Sequence, residues 1–198
     1  MRGLVYKDFK TVLSQYIVVF ALLALYVGAT VFFIKSLGFF ASMEPVLVMV
    51  TAMLAFGYDE KSGFNAYVRT LPISTTQIVR ARYIFALIMI AFTAVLHVGV
   101  TFALGTPWAE SLDSLAFGSS LSLLFAAVMF PVLYSLGSDK SRVVFMFLFF
   151  GMLVLGSRGD YIVHPGTAVS VGLFAGSCVL LCVSSAFSVR MLDRRSFA

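Results

Sequence analysis

Long charge-free apolar runs alternate along the chain with short charged stretches. Four runs contain no Asp, Glu, Lys or Arg: 16–34, 84–105, 115–136 and 167–189. Each has the roughly 20 residues that an α-helix needs to cross about 30 Å of hydrocarbon. Two further runs are flawed: 37–58 carries Glu44 and Pro45, and 143–156 is shorter and gives way to Ser157, Arg158, Gly159 and Asp160. Counting both predicts six transmembrane helices, a number that puts the charged segments on consistent sides. The runs are continuous and lack the alternation of barrel strands, so helices are expected and a β-barrel is not.

Two stretches outside the spans are amphipathic. Val5, Phe9, Val12 and Tyr16 recur at i, i+4, i+7 and i+11, with Arg2, Lys7, Lys10 and Gln15 elsewhere on the wheel. This predicts an N-terminal interfacial helix leading into the first span, the alternative being a plain extension of that span. The second stretch reads FGYDEKSGFNAYVRTLPISTTQIVRARY, residues 56–83. Phe64, Tyr67, Val68 and Leu71 fall on one helical stripe, Lys61, Asn65 and Arg69 point elsewhere, and Pro72 forbids continuation. A short amphipathic helix over 62–71 is predicted. Ser74 and Gln77 then fit a capping box, so a new helix starts there and carries Arg80 and Arg82 into the third span. A solvated loop with a fortuitous stripe is the other reading of this elbow.

Composition sharpens the class. With 198 residues, 61% hydrophobic and only 12% charged, there is too little polar surface to coat a soluble globule. The expectation is an all-α integral membrane protein forming one transmembrane domain over 1–198, with no soluble domain. Of the 14 basic residues, only Lys35 and Arg158 fall in odd-numbered connections. The termini and even-numbered connections hold the rest: Arg2, Lys7, Lys10, Lys61, Arg69, Arg80, Arg82, Lys140, Arg142, Arg190, Arg194 and Arg195. Both termini are therefore expected in the cytoplasm. The net charge of +5 suits anionic membrane lipid as a partner and gives no reason to expect nucleic acid. Asp8 among the basic residues, and the length of the first run, argue against a cleaved signal peptide.

Candidate chemistry is sparse. Cys178 and Cys182 lie one turn apart in the last run and read as small apolar packing residues. Around them Ala168, Gly172, Gly176, Ser184 and Ser188 make a small-residue stripe, expected to pack within the monomer, with a dimer interface as the alternative. No phosphate loop, HExxH or Cys/His cluster with metal spacing is present, so catalysis, a metal and a bound cofactor are not expected in this chain. His97 and His164 read as hydrogen-bonded structural histidines. Glu44 has two readings, and both it and His97 are candidate pathway or structural polar residues. Either Glu44 is a carboxylate inside the second span, where a charge costs up to about 3 kcal/mol and has a partner or a task, or Pro45 opens a shorter helix and Glu44 is its solvated neighbour. The second reading is preferred from sequence.

The opening MRGLVYKDFK together with the elbow string resembles the small ABC type-2 transporter permeases. These open with a Gly-Leu plus Lys-Asp element and carry an Asp-Glu, aromatic, Leu-Pro-Ile/Val-Ser, Ile-Val, Lys/Arg-Tyr string after the second span. Arg82 stands where lysine often precedes the tyrosine, which preserves the charge. The resemblance implies a permease subunit of an ATP-driven exporter in a bacterial cytoplasmic membrane. It would work with a second copy or a related permease and with two separate ATPase subunits that carry the ATP and magnesium. Mapped onto this chain, the elbow becomes a coupling helix in which Asp59, Glu60, Lys61, Phe64, Tyr67, Arg69, Leu71 and Pro72 would touch the ATPase. By analogy, and from phenylalanine-rich spans with few ionisable groups, the expected cargo is an amphipathic or hydrophobic peptide. The rival is a substrate-binding six-span subunit of an energy-coupling importer, which should gather its polar residues on the outer side.

Overall fold

The computed structural model describes residues 2–14, 16–68, 70, 72–157 and 167–196. The helices are α1 (Arg2–Ser14), α2 (Tyr16–Gly28, continued as a π-helix Ala29–Ile34), α3 (Leu37–Lys61), α4 (Phe64–Val68), α5 (Thr75–Leu104), α6 (Trp108–Leu136), α7 (Ser138–Ser157) and α8 (Thr167–Ser196). Among the described residues there is no strand.

Helix ends follow the local chemistry. The Ser74 hydroxyl accepts from the Gln77 N–H at 3.3 Å and the Gln77 side chain accepts from the Ser74 N–H at 3.4 Å, the predicted capping box. At the far end of α5, Gly105 takes φ of +67°, a left-handed cap that glycine adopts without Cβ strain. Helix α6 starts seven residues earlier than its apolar run, so Glu110 and Asp113 sit on its first turns and not in a loop. Pro45 does not open a helix. It lies within α3, which runs unbroken from Leu37 to Lys61.

Among the described residues, four helices are long and apolar enough to cross a membrane: α3, α5, α6 and the Val169–Leu192 part of α8. The pair α1–α2, bent by 71°, makes a fifth if read as one broken span. The sixth predicted span, 143–156, lies within α7, whose first turns carry Asp139, Lys140 and Arg142.

The main core lies between α3, α5, α6 and α8, where Phe56, Tyr83, Phe85, Phe130 and Leu133 interdigitate. A smaller cluster of Tyr26, Leu37, Phe40, Leu47 and Val100 fills the end at the α2–α3 and α5–α6 connections. Outward-facing side chains are apolar: Phe32, Phe33 and Phe147 are 77%, 85% and 77% exposed, as a lipid-facing surface requires. The stripe on α8 divides. Ser184 and Ser188 are buried and meet the Tyr83 hydroxyl at 2.7 and 2.9 Å, and Ser184 also donates to the Ala127 carbonyl. At Gly172 and Gly176 an added Cβ would meet nothing within 4 Å, so that half of the stripe packs against no part of the described monomer. Cys178 is half-buried against the core, whereas Cys182 is exposed.

Candidate functional site

The elbow is tighter than its apolar stripe implied. Helix α3 carries the chain through Asp59, Glu60 and Lys61, Gly63 turns at φ of +67°, and α4 is five residues long, shorter than the predicted 62–71. Arg69 and Leu71, two predicted ATPase contacts, lie outside the described residues. Lys61, Glu60 and Pro72 are exposed, and Tyr67 is 59% exposed. Val68 turns inward at 4% exposure, and Phe64 is half-buried.

Asp59 points into the bundle. It is 2% exposed and accepts from the Lys7 ammonium with both oxygens at 2.6 Å. Its Oδ2 also takes a hydrogen bond from Arg82. Asp8 completes the cluster, 3.1 Å from the Lys7 ammonium and 3.2 Å from Arg82 Nη1. Two acids and two bases from α1, α3 and α5 thus form one neutral network under the elbow. Charge balance matters because Arg82 is only 7% exposed and a buried unpaired charge costs several kcal/mol. Burial pushes the Asp8 carboxyl above its ordinary value, against the pull of the Arg82 and Lys7 charges.

Aromatic rings finish the joint. The Lys7 ammonium sits 3.7 Å from the centre of the Phe64 ring, and the Arg82 guanidinium 4.4 Å from that of Phe56. Both are cation–π distances. A cavity of about 140 Å³ lies beside the network, with Lys7, Asp59, Phe64 and Arg82 in its wall. The joint thus links α4 to α1 through Phe64 and Lys7, and α3 to α5 through Asp59 and Arg82.

This network also reorients α1. The predicted stripe placed Val5, Phe9, Val12 and Tyr16 on one face. In the structure Val12 is buried, Phe9 is exposed beside Tyr6 and Leu13, and Asp8 and Thr11 face inward. The ion pairs to Arg82 and Asp59 outweigh the apolar stripe and turn the acidic side of the helix toward the bundle.

The second candidate pair sits at the other end. Glu44 is fully buried, and its Oε1 lies 2.7 Å from His97 Nδ1. His97 Nε2 lies 3.0 Å from the Ser114 hydroxyl. The preferred sequence reading, a solvated Glu44 outside a helix begun by Pro45, is overturned: the carboxylate is within α3, and its partner comes from α5. Sequence reasoning proposed no partner for Glu44, because His97 is 53 residues away. The charge–charge ties of Lys7 and Arg82 to Asp59, across 52 and 23 residues, were missed for the same reason.

A helical bundle with lipid-exposed apolar faces and at least four spans defines a multi-pass membrane protein. Residues 3–193 match the model of the ABC-2 family transporter proteins, and the chain belongs to that family. Membership makes it a membrane component of an ABC transporter, a class that in general works with an ABC ATPase. No curated protein and no solved structure matches the chain.

Proposed function

We propose that this chain is the permease subunit of an ATP-driven exporter, that it forms the pathway as a dimer, and that an ABC ATPase docks on its elbow. The single observation that carries the reading is the joint under α4. A short helix with an exposed Tyr67 is tied through Phe64, Lys7, Asp59 and Arg82 to three longer helices. An ATPase pushing on such an element would tilt α3 and α5 together, because Asp59 in the last turn of α3 is paired with Arg82, two turns into α5. Glu60, Lys61, Tyr67 and Pro72 are the described residues placed to make the contact, with Arg69 and Leu71 as their predicted neighbours. Asp59 and Phe64 would transmit the movement rather than touch the ATPase. The elbow end, which also gathers the basic residues and both termini, is the cytoplasmic end in this reading.

The cargo proposed is an amphipathic or hydrophobic peptide, on the apolar character of the spans. The docking surface is tested by co-purifying the partner ATPase with permease carrying Lys61→Glu and Tyr67→Ala. Loss of the ATPase from a permease that still inserts and remains monodisperse is expected. Undiminished co-purification together with unchanged permease-stimulated ATP hydrolysis would overturn the docking site.

A further inference from the structure

The Glu44 cluster has no part in the elbow joint, yet an ionisable pair inside a membrane bundle is costly and marks a partner or a task. Glu44, His97 and Ser114 come from α3, α5 and α6, and all three are fully buried. The Ser114 hydroxyl has two partners at the same distance: the Ser111 carbonyl at 3.0 Å and His97 Nε2 at 3.0 Å. It can donate to only one of them at a time.

This choice defines two protonation states that both satisfy the imidazole. With Ser114 donating to Ser111, its oxygen must accept from Nε2–H, and one further proton is held between His97 Nδ1 and Glu44 Oε1; the pair is then neutral. Without that proton, Nδ1–H donates to the Glu44 carboxylate and Ser114 turns to donate to Nε2; the pair then carries one negative charge. The difference is a single proton and the rotation of one hydroxyl.

The second carboxylate oxygen lies at the contact of α3 with α6. Glu44 Oε2 is buried and has no hydrogen-bond partner. It faces Gly118 of α6, where an added Cβ would lie 2.7 Å from Oε2 and 2.9 Å from the Ala41 carbonyl oxygen. Pro45 has no N–H, so the usual i+4 donor to that carbonyl is missing. Two acceptor oxygens of α3 thus meet the same glycine of α6, which is why no side chain fits there. Toward the α5–α6 turn, Ser111 Oγ lies 2.7 Å from Thr101 Oγ1, and Thr106 has a buried hydroxyl without a hydrogen-bond partner.

We propose that Glu44, His97 and Ser114 form a binding site for one proton at the contact of α3 with α6 beside Gly118. Tyr26 of α2, whose hydroxyl lies within hydrogen-bond reach of the Phe39 and Phe40 carbonyls, also faces Glu44, and the exposed Glu110 and half-buried Asp113 lie on the first turns of α6.

The chain's single tryptophan reports on this region, since Trp108 opens α6 with its ring 5.2 Å from that of Phe102 on α5. The full chain in lipid nanodiscs is titrated while Trp108 emission is read. A one-proton transition is expected in the wild type and in Asp113→Asn and Glu110→Gln, displaced in Ser114→Ala, and absent in Glu44→Gln and His97→Gln. A transition that persists unshifted in Glu44→Gln, or that disappears in Asp113→Asn, overturns the assignment. Should Glu44→Gln fail to fold, acid-minus-base infrared difference spectra of the wild-type chain decide. With ¹³C-labelled glutamate, a protonated-carboxyl band lost alongside the Trp108 transition supports the site, and no such band overturns it.

Discussion

Replacing Asp59 by Asn keeps the shape of the side chain and removes the charge that holds the joint together. The Lys7 ammonium and the Arg82 guanidinium then share Asp8, and the network changes from neutral to a net single positive charge. Removing one partner from a buried ion pair costs about 3–5 kcal/mol. The lower figure applies here: the Lys7 side chain is 26% exposed and can swing its ammonium toward water, while Arg82 keeps Asp8 at 3.2 Å. For a chain of this size, 3 kcal/mol corresponds to a fall in Tm of about 6–12 °C. Thermal unfolding in detergent, followed by circular dichroism, measures it. Asp139→Asn serves as reference, because its pair with Arg142 is 3.6 Å long and 86% and 56% exposed; that change should stay within about 0.5 kcal/mol. Adding Lys7→Met to Asp59→Asn restores neutrality with Asp8 facing Arg82, and part of the lost Tm should return. If Asp59→Asn costs no more than Asp139→Asn, the cluster does not hold α1, α3 and α5 together.

Gly118→Ala should destabilise the chain by about 1–3 kcal/mol, since the new methyl would lie 2.9 Å from a backbone carbonyl of α3 that cannot yield as a side-chain tip can. The same unfolding assay checks it, and an unchanged Tm would contradict the close α3–α6 approach. Tyr83→Phe removes the hydroxyl shared with Ser184 and Ser188 and should cost about 1 kcal/mol. A larger loss is not expected, because Ser184 keeps its bond to the Ala127 carbonyl.

Periodicity was enough to place the long helices α3, α5 and α6 to within a few residues or a turn or two at each end, and the capping box at Ser74, because each depends on residues close by in the chain. They misjudged features fixed by tertiary partners. Pro45 reads locally as a helix opener, but Ser36 caps α3 nine residues earlier, its side chain accepting from the Phe39 N–H, and packing on α6 carries the helix through the proline. Glu44 reads as solvated until His97 is seen beside it. Asp59 reads as part of an exposed acidic string, yet only its neighbour Glu60 is exposed, because successive helical residues point about 100° apart. A clue to the joint was present in sequence: the Lys7-Asp8 element, Asp59 and Arg82 are the charged positions of strings that lie far apart in the chain. Periodicity within one helix cannot show that they converge.

The most direct test of the account places a photo-activated cross-linker on the elbow. Tyr67→Cys, in a Cys178→Ser and Cys182→Ser background, is labelled with a photoreactive maleimide in membranes that contain the partner ATPase. Phe33→Cys, at an 85% exposed position on the opposite end of the bundle, is the control. The account predicts a covalent adduct between position 67 and the ATPase, changed in yield by ATP, and only lipid adducts from position 33. Lipid adducts alone from position 67, with the ATPase demonstrably bound, would contradict the claim that the elbow receives the motor.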